Sequence, residues 1–150
     1  MDLEHFYENE LQFLRSTIGI NLSNYSAWHY RSEYLNKLLQ ENPSRRNSLL
    51  SNEWKLVLTA IYTDCFDQAA WFYSQWLLFK QIGIESIDEE EHIRPLEQLN
   101  ELEPENKWCS FTLTQLWKTN EEKKHQRIFL LEKLAEKIDP DRAQFYRDQI

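Results

Sequence analysis

An acidic run and four histidines are the residues of this chain best suited by type to metal binding or acid/base catalysis. Asp88 to Glu91 are four consecutive carboxylates followed by His92, a set that suits a metal ion or an acid/base pair. The histidines at positions 5, 29, 92 and 125 lack the His-Glu-x-x-His spacing of a zinc site, and the sequence has no glycine-rich loop for phosphate. We therefore interpret residues 88–92 as a solvated acidic loop, and we expect no catalytic residue, metal or cofactor on this chain.

Cys65 and Cys109 are the two cysteines, and they are far apart in sequence. Neither belongs to a Cys-x-x-Cys pair, and no serine or cysteine nucleophile is marked by a local motif. Reduced core thiols are the expected state of both residues.

Composition predicts an all-α protein. The 150 residues are 41% hydrophobic and 14% aromatic, with two glycines and four prolines. That balance suits helices in one domain over residues 1–150. The formal net charge of −8 argues against nucleic acid as a partner. The acidic N-terminus and the lack of a long apolar stretch indicate a cytoplasmic protein with no membrane span.

Hydrophobic periodicity and capping residues predict eight helices. We expect Gly19 to end the first helix, and Ser26 or Asn24 to begin a second that runs to about Gln40. An exposed loop is predicted over 41–47. The later helices are predicted from near Ser51 to Asp64, from Asp67 to Ile82-Gly83, from about Ile93 to Glu101, around Trp108 to Trp117, around Ile128 to Ile138, and after Pro140.

Three similar phrases, each with a tryptophan, recur along the chain. We name them the first phrase (residues 24–31), the second phrase (67–74) and the third phrase (105–112). Trp28, Trp71 and Trp108 lie 43 and 37 residues apart, a step typical of helical hairpins that stack into an α-α superhelix, or solenoid. The sequence therefore predicts about three hairpin repeats followed by closing helices.

The three phrases resemble the repeats of protein prenyltransferase α subunits, and are most similar to those of the type II, or Rab, protein geranylgeranyltransferases. The similarity is strongest over residues 21–35, 53–80 and 99–112. One departure is Gln75, where the family commonly has an arginine. The resemblance implies that the chain matches the C-terminal part of the repeat region and lacks the earlier repeats, as a fragment, a shortened isoform or a degenerate copy.

The resemblance also implies a role and partners. In this family the α subunit is a non-catalytic scaffold that wraps around a β subunit, and the β subunit carries the zinc and the isoprenoid pocket. The implied partners are a prenyltransferase β subunit and the Rab escort protein, with Rab GTPases as indirect substrates. The assembled transferase attaches geranylgeranyl groups to the C-terminal cysteines of those GTPases.

Ten residues are the predicted sites. The tryptophans of the three phrases are expected to fill the space between stacked helices, and Arg31 to bracket a neighbouring repeat's carbonyls or carboxylates. Loop residues at the starts of the phrases are candidates for contact with the β subunit, with simple helix capping as the alternative. These loop residues are Asn24, Tyr25, Asp67, Gln68, Glu105 and Asn106.

Two alternative functions remain open. The first is a free adaptor similar to tetratricopeptide proteins, although those repeats keep a tighter period of about 34 residues. The second is an inactive truncated copy, which would expose an apolar face where the stack of repeats is cut. Aggregation or dimerisation through residues 1–18 would be its signature.

Overall fold

The computed structural model describes the backbone of residues 3–20 and 25–150 and the side chains of residues 8–16 and 25–150. The chain divides into two compact units, Met1–Gly83 and Ile84–Ile150, and each is described by itself. The sequence-based prediction of one domain over residues 1–150 stays a prediction.

The described residues form α-helices with short 3₁₀ and π-helical segments and contain no strand, so the all-α prediction is confirmed. Consecutive helices pair as hairpins, α1 with α2, α3 with α4 and α5 with α6. The helices are α1 Leu3–Ile20, α2 Tyr25–Glu41, α3 Arg46–Thr63, α4 Gln68–Trp76, α5 Arg94–Leu102, α6 Lys107–Leu116, α7 Lys124–Lys133 and α8 Ala143–Arg147. None of the described helices is both long enough and apolar enough to cross a membrane.

The boundaries of two helices differ from the prediction. Helix α1 continues through Gly19 to Ile20, because a glycine near a helix end costs only about 1 kcal/mol relative to alanine. The predicted loop over 41–47 is wrong, since Pro43–Arg45 form a 3₁₀ turn and α3 begins at Arg46 rather than near Ser51. Proline fits this place because a first helical turn needs no N–H from it.

The end of the second hairpin lies where the sequence predicts it. Helix α4 passes into a π-helical segment, Leu77–Ile82, and stops at Gly83. Gly83 has a φ of 84°, and its N–H donates to the Leu78 carbonyl at 2.9 Å. A residue with a side chain would be strained in this backbone conformation, which explains why the chain ends the helix with glycine.

In the second unit a π-helical turn, Glu89–Ile93, leads directly into α5. The prediction of an acidic loop over residues 88–92 is therefore wrong. Helix α6 ends at Leu116, with Trp117 as its C-terminal cap rather than a helical residue. Another π-helical segment, Leu134–Ile138, closes α7, and a 3₁₀ turn, Pro140–Arg142, precedes α8. The side chains of Leu131, Leu134, Ala135 and Tyr146 form a buried cluster between α7 and α8.

Candidate partner-binding site

The first unit brings the first and second phrases together. Trp28 on α2 is 3% exposed and Trp71 on α4 is fully buried, so both rings lie in the core. The Trp71 indole Nε1 also donates to the Cys65 carbonyl at 2.7 Å, which ties α4 to the turn before it. Both tryptophans are thus core residues of the first unit.

An aromatic groove of about 210 Å³ lies between α2 and α4. We call it the α2/α4 groove. The Trp28 and Tyr73 rings pack against each other inside it, with 4.6 Å between their centroids. Its lining residues are Tyr25, Trp28, His29 and Ser32 on α2, and Phe72, Tyr73 and Trp76 on α4.

Two aromatic rings at the edge of this groove are open to solvent. Tyr25 is 49% exposed and Phe72 is 50% exposed, and their ring centroids are 6.3 Å apart. Single exposed apolar residues are common on protein surfaces, whereas neighbouring aromatic rings around a groove are typical of contact sites. This edge is therefore the part of the first unit best suited to contact another protein.

A buried ion pair fixes the helices that form the groove. Both Arg31 and Glu53 are less than 10% exposed. The guanidinium donates two hydrogen bonds to the carboxylate, from Nε to Oε2 at 2.6 Å and from Nη2 to Oε1 at 2.5 Å. The Arg31 Nη1 donates to the Leu11 carbonyl at 2.7 Å. Because the Tyr73 hydroxyl also donates to Glu53, one network joins α1, α2, α3 and α4.

The network makes Tyr73 a hydrogen-bond donor at every physiological pH. Burial is the main cause that raises the pKa of Tyr73 well above its ordinary value, and the Glu53 carboxylate raises the pKa further. The neutral phenol therefore stays in place as a donor to Glu53. Its ring lines the α2/α4 groove, so the network positions the groove directly.

The third phrase lies in the second unit. Asn106 is 1% exposed, and its side chain caps α6 by accepting from the Cys109 N–H at 3.1 Å. Cys109 is buried, and its thiol donates to the Leu96 carbonyl at 3.2 Å. Trp108 is only half-buried, with the Lys107 ammonium 5.0 Å from its ring centroid. It therefore differs from Trp28 and Trp71, which are fully enclosed.

The remaining predicted loop residues lie at helix starts. Asp67 is half-buried and caps α4 by accepting from the Ala69 N–H at 3.0 Å. Gln68 and Glu105 are exposed, and Asn24 lies outside the described residues. The capping roles of Asp67 and Asn106 are thus visible, while contact of these loops with a partner stays a prediction.

Sequence reasoning missed Glu53 and the part that Tyr73 plays. Glu53 occupies a helical stripe with Leu50, Val57 and Ala60, all buried. A carboxylate on such a stripe signals a buried partner, because an unpaired buried charge is strongly unfavourable. The identity of that partner, Arg31, depends on a contact between residues 22 positions apart and is not visible in the local pattern.

Asp88, the first residue of the acidic run, caps the π-helical turn Glu89–Ile93. The Asp88 side chain accepts from the Glu91 N–H, and the Asp88 N–H donates to Nδ1 of His92, both at 2.8 Å. Burial is the main cause that lowers the pKa of His92, although Glu91 and Asp88 act in the opposite direction. Within the residues that the structure describes, no group of three His, Cys, Asp or Glu side chains is placed to hold a metal ion.

Comparison with known proteins identifies one repeat and several relatives of one kind. Residues 7–38 match the protein prenyltransferase alpha subunit repeat. The geranylgeranyl transferase type-2 subunit alpha of Schizosaccharomyces pombe is 30% identical over 93% of this chain and 48% of its own length. The human subunit of the same name is 47% identical over 46% of this chain and 13% of its own length.

The corresponding subunit of Saccharomyces cerevisiae is 30% identical over 63% of this chain. The chain spans 29% of the length of that relative, and less than half of the length of the other two. A solved structure, Candida albicans protein geranylgeranyltransferase-I complexed with GGPP, is similar at 19% identity, covering 96% of this chain and 72% of that chain. Its TM-score of 0.30 is too low to show a shared arrangement of helices.

The hairpins and the tryptophan phrases at their helix starts define a helical-repeat protein. The matched repeat, together with relatives that are all named geranylgeranyl transferase type-2 subunit alpha, narrows this class of helical-repeat proteins. The chain is thus similar to protein prenyltransferase alpha subunits, through one matched repeat at residues 7–38 and through the type-2 relatives.

Proposed function

We propose that this chain serves as a non-catalytic α subunit, or part of one, in a Rab geranylgeranyltransferase, where it binds and positions a catalytic β subunit. The names of the relatives support this role. The observation that carries the proposal is the α2/α4 groove with its two exposed rings, Tyr25 and Phe72, because the recurring phrases themselves build it.

The side chains of the described residues support a division of labour between this chain and a β subunit. The described residues offer no metal-ligand cluster. In the first unit, the buried Arg31, Glu53 and Tyr73 side chains are hydrogen-bonded to one another in a structural network. In the proposed assembly, zinc and the isoprenoid belong to the β subunit, and geranylgeranyl transfer to Rab cysteines takes place there. The Rab escort protein is the second proposed partner and presents the Rab substrate.

Association with a type-2 β subunit from the same organism tests this proposal. The full chain and a tagged β subunit are produced together, and the complex is isolated and its dissociation constant measured. We expect Tyr25→Ala combined with Phe72→Ala to weaken association about tenfold or more, the size of effect seen at aromatic hot spots. The matched control is Tyr30→Ala on the same helix, which removes a ring that is 53% exposed and does not line the groove.

Two results would reject the proposal. One is the absence of any complex between the folded chain and the β subunit. The other is a complex in which the Tyr25/Phe72 double variant and the Tyr30 control have the same affinity as the original chain.

A further inference from the structure

A second groove, larger than the first, lies entirely within the second unit. We call it the α7 groove, and its volume is about 390 Å³. Its base is apolar, since Trp117 and Leu130 are 7% and 6% exposed. Its lining residues are Asn100 on α5, Trp117 after α6, and His125, Gln126, Phe129, Leu130 and Lys133 on α7.

Three of these residues form a strip along α7. His125, Phe129 and Lys133 are four residues apart, which places them on one face of the helix over about 12 Å. Phe129 is 67% exposed, and it makes no ring contact with any other residue in the described part of the chain. The strip therefore has an apolar centre between two nitrogen-bearing ends.

The other side of α7 is already committed to the fold. Arg127 donates to the Thr114 carbonyl at 3.0 Å and to the Gln149 carbonyl at 3.1 Å, and Leu131 is fully buried. In contrast, the side chains of His125 and Gln126 form no hydrogen bond with the residues described. The groove side is thus the side of α7 that can accept a binding partner.

Charge at the groove favours an anionic occupant. The whole chain has a net charge of −8, whereas Lys133 is the one Lys, Arg, Asp or Glu among the described residues that line the groove. The Lys133 ammonium contacts only the Pro104 carbonyl, at 3.4 Å, so within the described structure no carboxylate neutralises it. The Trp117 indole Nε1 is buried without a hydrogen-bond acceptor among the described residues.

We infer that the α7 groove binds an acidic segment of a partner protein that inserts one bulky apolar side chain beside Phe129. A helical segment with carboxylates four residues before and after that side chain matches the spacing of His125, Phe129 and Lys133. Apolar contact at the centre supplies affinity, and the flanking charges set specificity and orientation. This inference concerns the second unit alone and does not depend on the proposed function.

Fluorescence anisotropy with synthetic helical peptides tests the inference on the full chain. The probe is a labelled 13-residue peptide of alanine and glutamine with a central leucine and a glutamate four residues to either side. Two comparison peptides replace the glutamates by lysine, or the leucine by alanine. We expect saturable binding of the acidic leucine peptide, and affinity lower by about tenfold or more for each comparison peptide.

Variants of the chain locate the binding site. Both Lys133→Glu and Phe129→Ser are expected to weaken binding of the acidic leucine peptide about tenfold. Lys124→Glu is the matched control for charge, because Lys124 is exposed on the same helix and does not line the groove. We expect its effect to be under about threefold at physiological ionic strength, since an exposed charge outside the site is screened. Circular dichroism verifies that each variant is folded.

The indole N–H resonance of Trp117 provides an independent readout. Its NMR signal, assigned with the Trp117→Phe variant, should shift on addition of the acidic leucine peptide. The inference is overturned by the absence of saturable binding, by equal binding of the lysine peptide, or by equal losses in the Lys133 and Lys124 variants. Concentration-dependent dimerisation that Phe129→Ser abolishes would also overturn it, because a second copy would then be the occupant.

Discussion

The Arg31 guanidinium and the Glu53 carboxylate form a two-pronged ion pair in which both side chains are less than 10% exposed. Arg31 belongs to the first phrase, and Glu53 lies on the helix that leads to the second. The pair therefore connects the two hairpins of the first unit. The Tyr73 hydroxyl completes the network and links it to the α2/α4 groove.

Removing one member of this pair should destabilise the fold strongly. Glu53→Ala leaves the Arg31 charge buried without a partner, and we expect a loss of about 3–5 kcal/mol in the free energy of unfolding. Urea denaturation measures this loss. The control is Arg45→Ala, whose pairing with Glu8 is solvent-exposed and should contribute less than about 1 kcal/mol. Equal effects of the two substitutions would show that burial of the first pair is not important.

The buried tryptophans should contribute more to stability than the half-buried one. Trp71→Ala removes a fully buried ring and its hydrogen bond to the Cys65 carbonyl, so we expect a loss of roughly 3–5 kcal/mol. Trp108→Ala removes a half-buried ring and should have a clearly smaller effect. Thermal unfolding compares the two variants. A melting midpoint unchanged by Trp71→Ala would contradict the core role of this ring.

The helix caps at the second and third phrases should be measurable individually. Asp67→Ala and Asn106→Ala each remove an acceptor from a helix N-terminus, with an expected loss of about 0.5–2 kcal/mol. Gln68→Ala provides the control, because Gln68 is exposed and is not the capping residue. Chemical denaturation of the three variants tests this order. A loss for Gln68→Ala as large as that for Asp67→Ala would contradict it.

Stability should decrease with acid through His92. Burial lowers the pKa of His92 in the folded state, so the unfolded state takes up the proton first as pH falls. The contribution of neutral His92 is therefore complete above its unfolded pKa of about 6.5 and is lost as pH falls towards the lower folded value. Protonation also removes the acceptor for the Asp88 N–H.

Urea denaturation at pH 7.5 and pH 5.5 measures this loss. The difference in stability between the two pH values should be smaller for His92→Gln than for the original chain. His125→Gln, a change at an exposed histidine, should leave that difference unaltered. The same pH dependence in all three proteins would contradict a role for His92.

Local signals in the sequence were sufficient to predict much of the fold. The cap at Asp67 and the stop at Gly83 define the second hairpin because they depend on backbone chemistry within a few residues. The start of α3 was misplaced because Pro43 is compatible with both a loop and a first helical turn. The α2/α4 groove was only partly predictable for a different reason. Its phrases are visible in the sequence, whereas the contact between Tyr25 and Phe72 joins residues far apart along the chain.

Hydrogen exchange with and without a type-2 β subunit tests the central claim most directly. The chain is first saturated with the β subunit, and complex formation is verified by size-exclusion chromatography. Amide protection should then increase most at the N-terminal turns of α2 and α4, around Tyr25 and Phe72. A stable complex without added protection in these turns, or no complex with the folded chain, would contradict the claim that this chain holds the β subunit through the α2/α4 groove.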